Sequence, residues 1–170
     1  GDGLLFYSAM TSYLTQGYRA FDLSLDEEFD FTWGVGNSTF FSRQIDRFFD
    51  TNISDKTYPA KLEDQGWDRY NYWSTFYVWW ASDFGFFGVG FLMFFIGYIF
   101  RCIENTKDTV ANDTASKILY YYHVVLCFYL SANNQIFQSG EGSVGFLSLV
   151  IPFFFFRKIS SVRSMTKVNR

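Results

Sequence analysis

The chain has 170 residues, with 14 Lys and Arg against 17 Asp and Glu, so it lacks the basic excess that nucleic-acid binding needs. Its two cysteines lie far apart with no CxxC, which excludes a disulfide framework or a metal knuckle. Aromatics reach 24% and mean hydropathy is near zero, yet that average conceals strong segregation. Charges crowd into residues 19–69, 101–117 and the tail from Arg157. Between Arg69 and Arg101 the only charge is Asp83; from Lys117 to Glu141 and from 142 to 156 there is none. An unpaired charge at the centre of a membrane helix costs about 2.5–3.5 kcal/mol, so charge-free runs of this length are membrane candidates. With Gly1 first and no signal-peptide pattern, the chain is expected to be the C-terminal piece of a longer protein.

Residues 1–18 are compatible with a short amphipathic helix or with the end of an upstream span. Residues 19–69 are polar and rich in turn formers; the two Gly and the Asn of WGVGNS (33–38) favour a turn. Ser42 followed by RQIDRFFD predicts a short helix with Arg43, Asp46, Arg47 and Asp50 on one face. Pro59 opens an irregular link toward Trp67. Trp73, Trp79 and Trp80 then read as an interfacial belt, since indole rings prefer the headgroup level. Three membrane helices follow, at about 78–100, 118–136 and 142–156. The run from Phe84 to Phe100 alone covers about 25 Å at 1.5 Å per residue. Gly85, Gly88, Gly90 and Gly97 suit close packing by another helix. The third span is short and contains Pro152, which membrane helices tolerate.

Orientation follows from the short flanks. Arg101, Lys107 and Lys117 lie in one connection, and Arg157, Lys158, Arg163, Lys167 and Arg170 in the tail, while the link 137–141 has no Lys or Arg. The positive-inside rule places the basic connection and tail in the cytoplasm and residues 1–77 outside. The expected fold is therefore an all-α integral membrane protein with a large outer loop (1–77) and a helical part (78–170).

Arg19, Arg43, Arg47 and Arg69 are interleaved with aromatic residues in the outer loop. Guanidinium groups fork onto phosphate oxygens and aromatic faces suit sugar rings, so the combination fits a lipid-linked, phosphate-bearing carbohydrate. The plain alternative pairs these arginines with Asp22, Asp26, Glu27, Glu28, Asp30 and Asp46. Asp83, a carboxylate at the membrane edge, is a functional candidate by default; it or Ser82 equally suits the cap of a helix. His123 is expected to be a buried, hydrogen-bonded helix contact. Asn133, Asn134, Gln135 and Gln138 bind sugar hydroxyls or mark the interface. Sequons occur at Asn37, Asn52 and Asn112. There is no HExxH, P-loop, GxSxG or DxD-like pair, so neither metal nor nucleotide chemistry has support.

Three phrases in order, YLTQGYRAFDLSL, FTWGVGNSTFFSRQIDRFF and GWDRYNYWSTFYVWWASDFGFFGVGF, carry a resemblance across residues 8–100. Together they resemble the C-terminal part of Wzy-type O-antigen (oligosaccharide repeat-unit) polymerases. The resemblance implies a multi-pass glycosyltransferase of GT-C-like helical architecture in the bacterial inner membrane, its outer loop in the periplasm. It would join polyprenyl-diphosphate-linked oligosaccharide units without a cofactor, alongside a chain-length regulator and a flippase. Carried over by phrase, it points to Arg43 and Arg69 as catalytic; a general base is also needed for the acceptor hydroxyl, and Asp83 is the candidate within this piece. Arg19, Arg47, Trp67, Trp73 and Trp79 then belong to substrate binding. Arg69 and Gly85 also show an Arg-x15-Gly spacing described for some polymerases. Competing readings are an O-antigen ligase, a transporter or flippase fragment, and a structural membrane subunit.

Overall fold

A computed structural model describes residues 2–104 and 114–168; the side chains of Asp2, Leu14 and residues 156–168 lie outside that description. Lys107, Arg170 and the Asn112 sequon, all expected on the cytoplasmic side, fall outside the described residues. Among the described residues every regular element is helical.

Helix α1 (Asp2–Ser24) resolves the open reading of the N-terminal segment in favour of one continuous helix. From its midpoint onward it meets the rest of the protein: Tyr13 packs edge-on against Trp73, Phe21 against Tyr77 and Phe86, and Gly17, Ala20 and Ser24 are buried. A Cβ at Gly17 would lie 2.9 Å from the carbonyl oxygen of Ala132, so glycine is what lets α1 approach the 131–132 backbone. Leu4, Leu5, Phe6 and Tyr7, by contrast, are exposed.

Helix α2 (Thr39–Phe49) starts a turn earlier than Ser42 would have set it, because Ser38 is the N-cap. Ser38 is extended, and its hydroxyl accepts the Phe41 N–H, as a capping serine does. Ser42 sits inside the helix, buried, its hydroxyl donating to the Ser38 carbonyl at 3.0 Å. At the other end Asp50 adopts a left-handed conformation and the chain folds back onto Asp46. That carboxylate accepts from the Thr51 hydroxyl and the Ile53 and Ser54 N–H groups. Burial pushes the Asp46 carboxyl up, but these hydrogen bonds outweigh it and hold the group below the usual carboxylate range.

A 3-10 turn (Ile53–Lys56), the short helix α3 (Tyr58–Lys61) and a second 3-10 turn (Leu62–Gln65) lead to Trp67. The expected irregular link after Pro59 is thus helical: Pro59 occupies the first turn of α3, where its missing N–H costs nothing.

Helix α4 (Phe76–Glu104) is long and apolar enough to cross a membrane. Its first turn is capped by the Thr75 hydroxyl, which accepts the Val78 N–H, so neither Ser82 nor Asp83 is the cap. At Gly85 (φ 65, ψ 165) the helical backbone breaks. That conformation is essentially restricted to glycine. A Gly85→Ala variant is expected to lose roughly 1–3 kcal/mol of stability, the usual magnitude for such strain. Thermal unfolding in detergent reads this as a lowered midpoint, and an unchanged midpoint would contradict it. Gly90 and Gly97 face open space, so no described helix of this chain uses them for close packing.

Helices α5 (Thr114–Tyr129) and α6 (Gly140–Val168) complete the structure, and α5 packs against both α4 and α6. Ile99 and Ile103 of α4, Leu119 and Leu126 of α5, and Phe146 of α6 share one buried cluster with Phe137 from the link. His123 lies inside this layer, as expected. Its Nδ1 is 2.9 Å from the Leu119 carbonyl, and its ring rests between Phe100 and Phe146. In α6 the stretch Gly140–Phe155 is a shorter apolar run. The helix expected to reach 136 ends at Tyr129. Residues 130–139 form a compact turn in which Asn133 and Asn134 are buried. Backbone groups there have partners outside a helix: the Leu130 carbonyl accepts from Phe76 N–H, and Tyr129 from Ala132 and Asn133.

Candidate functional site

The turn at 32–37 determines where α2 begins, and Asp83 holds that turn. Oδ1 accepts from the Thr32 hydroxyl and, at 2.9 Å, from the Gly36 N–H. Oδ2 accepts from the Asn37 N–H at 2.8 Å and from the Asn37 side-chain amide at 2.7 Å. The carboxylate is 1% exposed, so this replaces its entire hydration shell with donors from one short turn. On the turn's opposite side the Asn134 amide donates to the Asn37 carbonyl. Asn37 therefore presents no free amide for glycosylation, despite its sequon. The clamp delivers Ser38 as N-cap, and α2 then projects Arg43 from its second turn.

Arg43 and Arg69 converge from separate segments. Each guanidinium carbon lies 5.2 Å from the centroid of the Tyr70 ring. They line a cavity of about 250 Å³ whose wall also includes Thr39, Ser42, Trp73, Trp79 and Gln138. The wall thus carries two arginines, several hydroxyls and no carboxylate. Arg69 is anchored: it donates to the Ser54 carbonyl at 3.0 Å and sits 3.4 Å from Asp55. Its Nε lies 3.0 Å from Glu63, off the line of the N–H, a charge contact without a hydrogen bond. Arg43 is exposed and forms no ion pair among the described residues. Its positive charge is therefore the one presented to the cavity without a neutralising carboxylate. Such a wall is complementary to an anion with several oxygens.

Of the residues singled out in the sequence, Arg43, Arg69, Trp73 and Trp79 meet at this cavity. Arg47, a turn further along α2, is exposed and outside the lining. Arg19 is exposed on α1, also away from it. Neither forms an ion pair among the described residues, and Arg69 pairs with Asp55 and Glu63 rather than with any of the carboxylates the plain alternative named. Trp67 is buried with Ala20 and Leu62 and packs its ring 4.7 Å from that of Tyr72, beneath the surface. Asp83 is buried and not part of the cavity wall. Sequence reasoning missed Tyr70, which gathers both arginines, and Thr39, whose hydroxyl donates to the Gln138 carbonyl at 2.7 Å and joins α2 to the 130–139 turn. The available signal for Tyr70 was its place directly after Arg69.

Compared with protein-family models, curated proteins and solved structures, the chain gives no match.

Proposed function

We propose that the chain is the outer-face part of a glycosyltransferase that polymerises polyprenyl-diphosphate-linked oligosaccharide units at the periplasmic face of the bacterial inner membrane. The observation that carries this reading is the cavity wall with Arg43 and Arg69 around Tyr70 and no carboxylate. Helix α4, apolar and long enough to cross a bilayer, would hold that cavity beside the lipid, as the C-terminal part of a polytopic GT-C-like bundle.

In the reaction, an acceptor hydroxyl oxygen forms a bond to the anomeric carbon of the growing chain. The bond from that carbon to the carrier diphosphate breaks, and the hydroxyl proton leaves to a base. Charge builds on the departing diphosphate, where Arg43 and Arg69 neutralise it in place, already oriented before the reaction. Trp73 and the hydroxyls of the wall would flank the sugar. Asp83 enters this scheme as a positioning residue, because its oxygens already accept four hydrogen bonds from the turn that launches α2.

The test is polymer formation in cells that lack the protein. Wild-type protein is expected to restore a ladder of repeat lengths, and Arg43→Ala to leave single repeat units at unchanged protein level. A wild-type ladder from Arg43→Ala would overturn the reading.

A further inference from the structure

The sequence placed the membrane-interface aromatics at Trp73, Trp79 and Trp80, but Trp79 is 3% exposed and Trp73 faces the cavity. The indole that stands out is Trp33, at 73% exposure. It ends a row of alternate residues along an irregular, extended stretch. Phe29 and Phe31 have ring centroids 6.5 Å apart, and Phe31 and Trp33 5.3 Å. All three rings are exposed, while Thr32 between them points inward to Asp83.

Two further observations bear on what this row meets. Trp33 has φ 59, a left-handed conformation that costs a bulky residue on the order of 1–2 kcal/mol. The turn clamped by Asp83 enforces it, so the fold holds an indole outward at an energetic cost. At its other end the row reaches α4: a ring carbon of Phe29 lies 3.9 Å from where a Cβ on Gly85 would stand. Beyond the break at Gly85, Phe87 and Phe91 are exposed rings one turn apart on α4, their centroids 5.4 Å from each other. The aromatic row thus runs from beside Gly85 of the apolar helix to Trp33, with the amphipathic indole at the end away from the helix, the order that a membrane-to-water gradient selects. Of the two carboxylates that alternate with the rings, Asp30 is ion-paired with Lys61 at 2.8 Å and Glu28 is exposed without an ion pair among the described residues, so the row carries little net charge, which suits zwitterionic headgroups.

We propose that Phe29, Phe31 and Trp33 lie in the headgroup layer of the bilayer, as a second anchor that seats the outer loop on the lipid surface. This rests on α4 being a membrane helix in the proposed reading. The experiment compares tryptophan emission of the wild-type protein and Trp33→Phe in phosphatidylcholine nanodiscs, with and without bromine on the upper acyl chains. Trp33→Asn, suited to the left-handed backbone, serves as a second variant. A Phe91→Trp variant supplies a reference on α4. The emission component missing from both Trp33 variants is expected to lose most of its intensity in brominated lipid and to resist aqueous iodide. Quenching of Phe91→Trp by brominated lipid, with the Trp33 component quenched by iodide alone, would overturn the anchor while leaving the membrane helix standing. Absence of lipid quenching at both positions would remove the membrane placement and the anchor with it. A Trp33 component that ignores brominated lipid but responds to soluble oligosaccharide would reassign the row to glycan, and would also overturn the proposal.

Discussion

An Asp83→Ala variant is expected to accumulate little folded protein in the membrane. The substitution strands the Gly36 and Asn37 N–H groups and the Asn37 amide in a site where the carboxylate was 1% exposed. Each buried donor left without an acceptor costs about 1–3 kcal/mol. Three of them reach a large fraction of the roughly 5–15 kcal/mol that holds a typical domain together. Asp83→Asn should be milder. Its amide oxygen still serves both Asn37 donors. Its NH2 group can donate to the Thr32 hydroxyl, which then donates to the Ser82 carbonyl already 2.7 Å away. Only the Gly36 N–H meets a donor instead of an acceptor, a loss of about 1–3 kcal/mol. Immunoblots of membranes together with thermal unfolding of the purified variants read this order. If Asp83→Ala instead accumulated and unfolded like wild type while making no polymer, the carboxylate would be acting in the chemistry and not in the clamp.

The Arg43→Ala variant has the opposite signature, with activity lost and protein retained. Arg43 is exposed and free of ion pairs among the described residues, so its removal forfeits only its contact with Tyr70. An exposed cation–π contact contributes about 0.5–1 kcal/mol, too little to unfold the protein. In the transition state the same guanidinium faces developing charge on the diphosphate. Loss of one preorganised donor of that kind typically lowers turnover by about 10²–10³, or about 2.7–4 kcal/mol. Arg43→Lys keeps the charge but loses the planar fork, and should fall between the two. Arg69→Ala is the less clean experiment, because Arg69 also ties together Ser54, Asp55 and Glu63. A turnover assay on normalised protein separates these cases. Undiminished turnover in Arg43→Ala would exclude the residue from the site.

The charge map foretold the long apolar helix after Trp73, because twenty-odd residues with a single charge leave few alternatives to it. The choice of Arg43, Arg69, Trp73 and Trp79 as candidates needed only residue chemistry and order. Their meeting at one cavity depends on the Asp46 fold-back and on the Asp83 clamp, whose partners lie 46, 47 and 51 residues away in sequence. No local pattern encodes such a contact. This is also why Asp83 suggested a helix cap, when its oxygens serve a distant turn. The early end of α5 has a related cause. Asn133 and Asn134 read as interfacial polar residues, yet they are buried in a turn, and Asn134 reaches across to Asn37. The cap at Ser38 rather than Ser42 was legible in principle, since Ser38 stands just ahead of Phe40 and Phe41, whereas Ser42 is followed by Arg43 and Gln44. What selects Ser38 is the extended backbone that the clamped turn imposes on it.

Whether Arg43 and Arg69 receive a diphosphate is read from carrier-lipid binding. The protein in nanodiscs would be titrated with polyprenyl diphosphate and with polyprenyl monophosphate, and the bound lipid read by native mass spectrometry. Tighter binding of the diphosphate by wild-type protein, and loss of that preference in Arg43→Ala, are expected. Equal affinity for the two lipids in the wild type, or an unchanged preference in the variant, would contradict a diphosphate at these arginines.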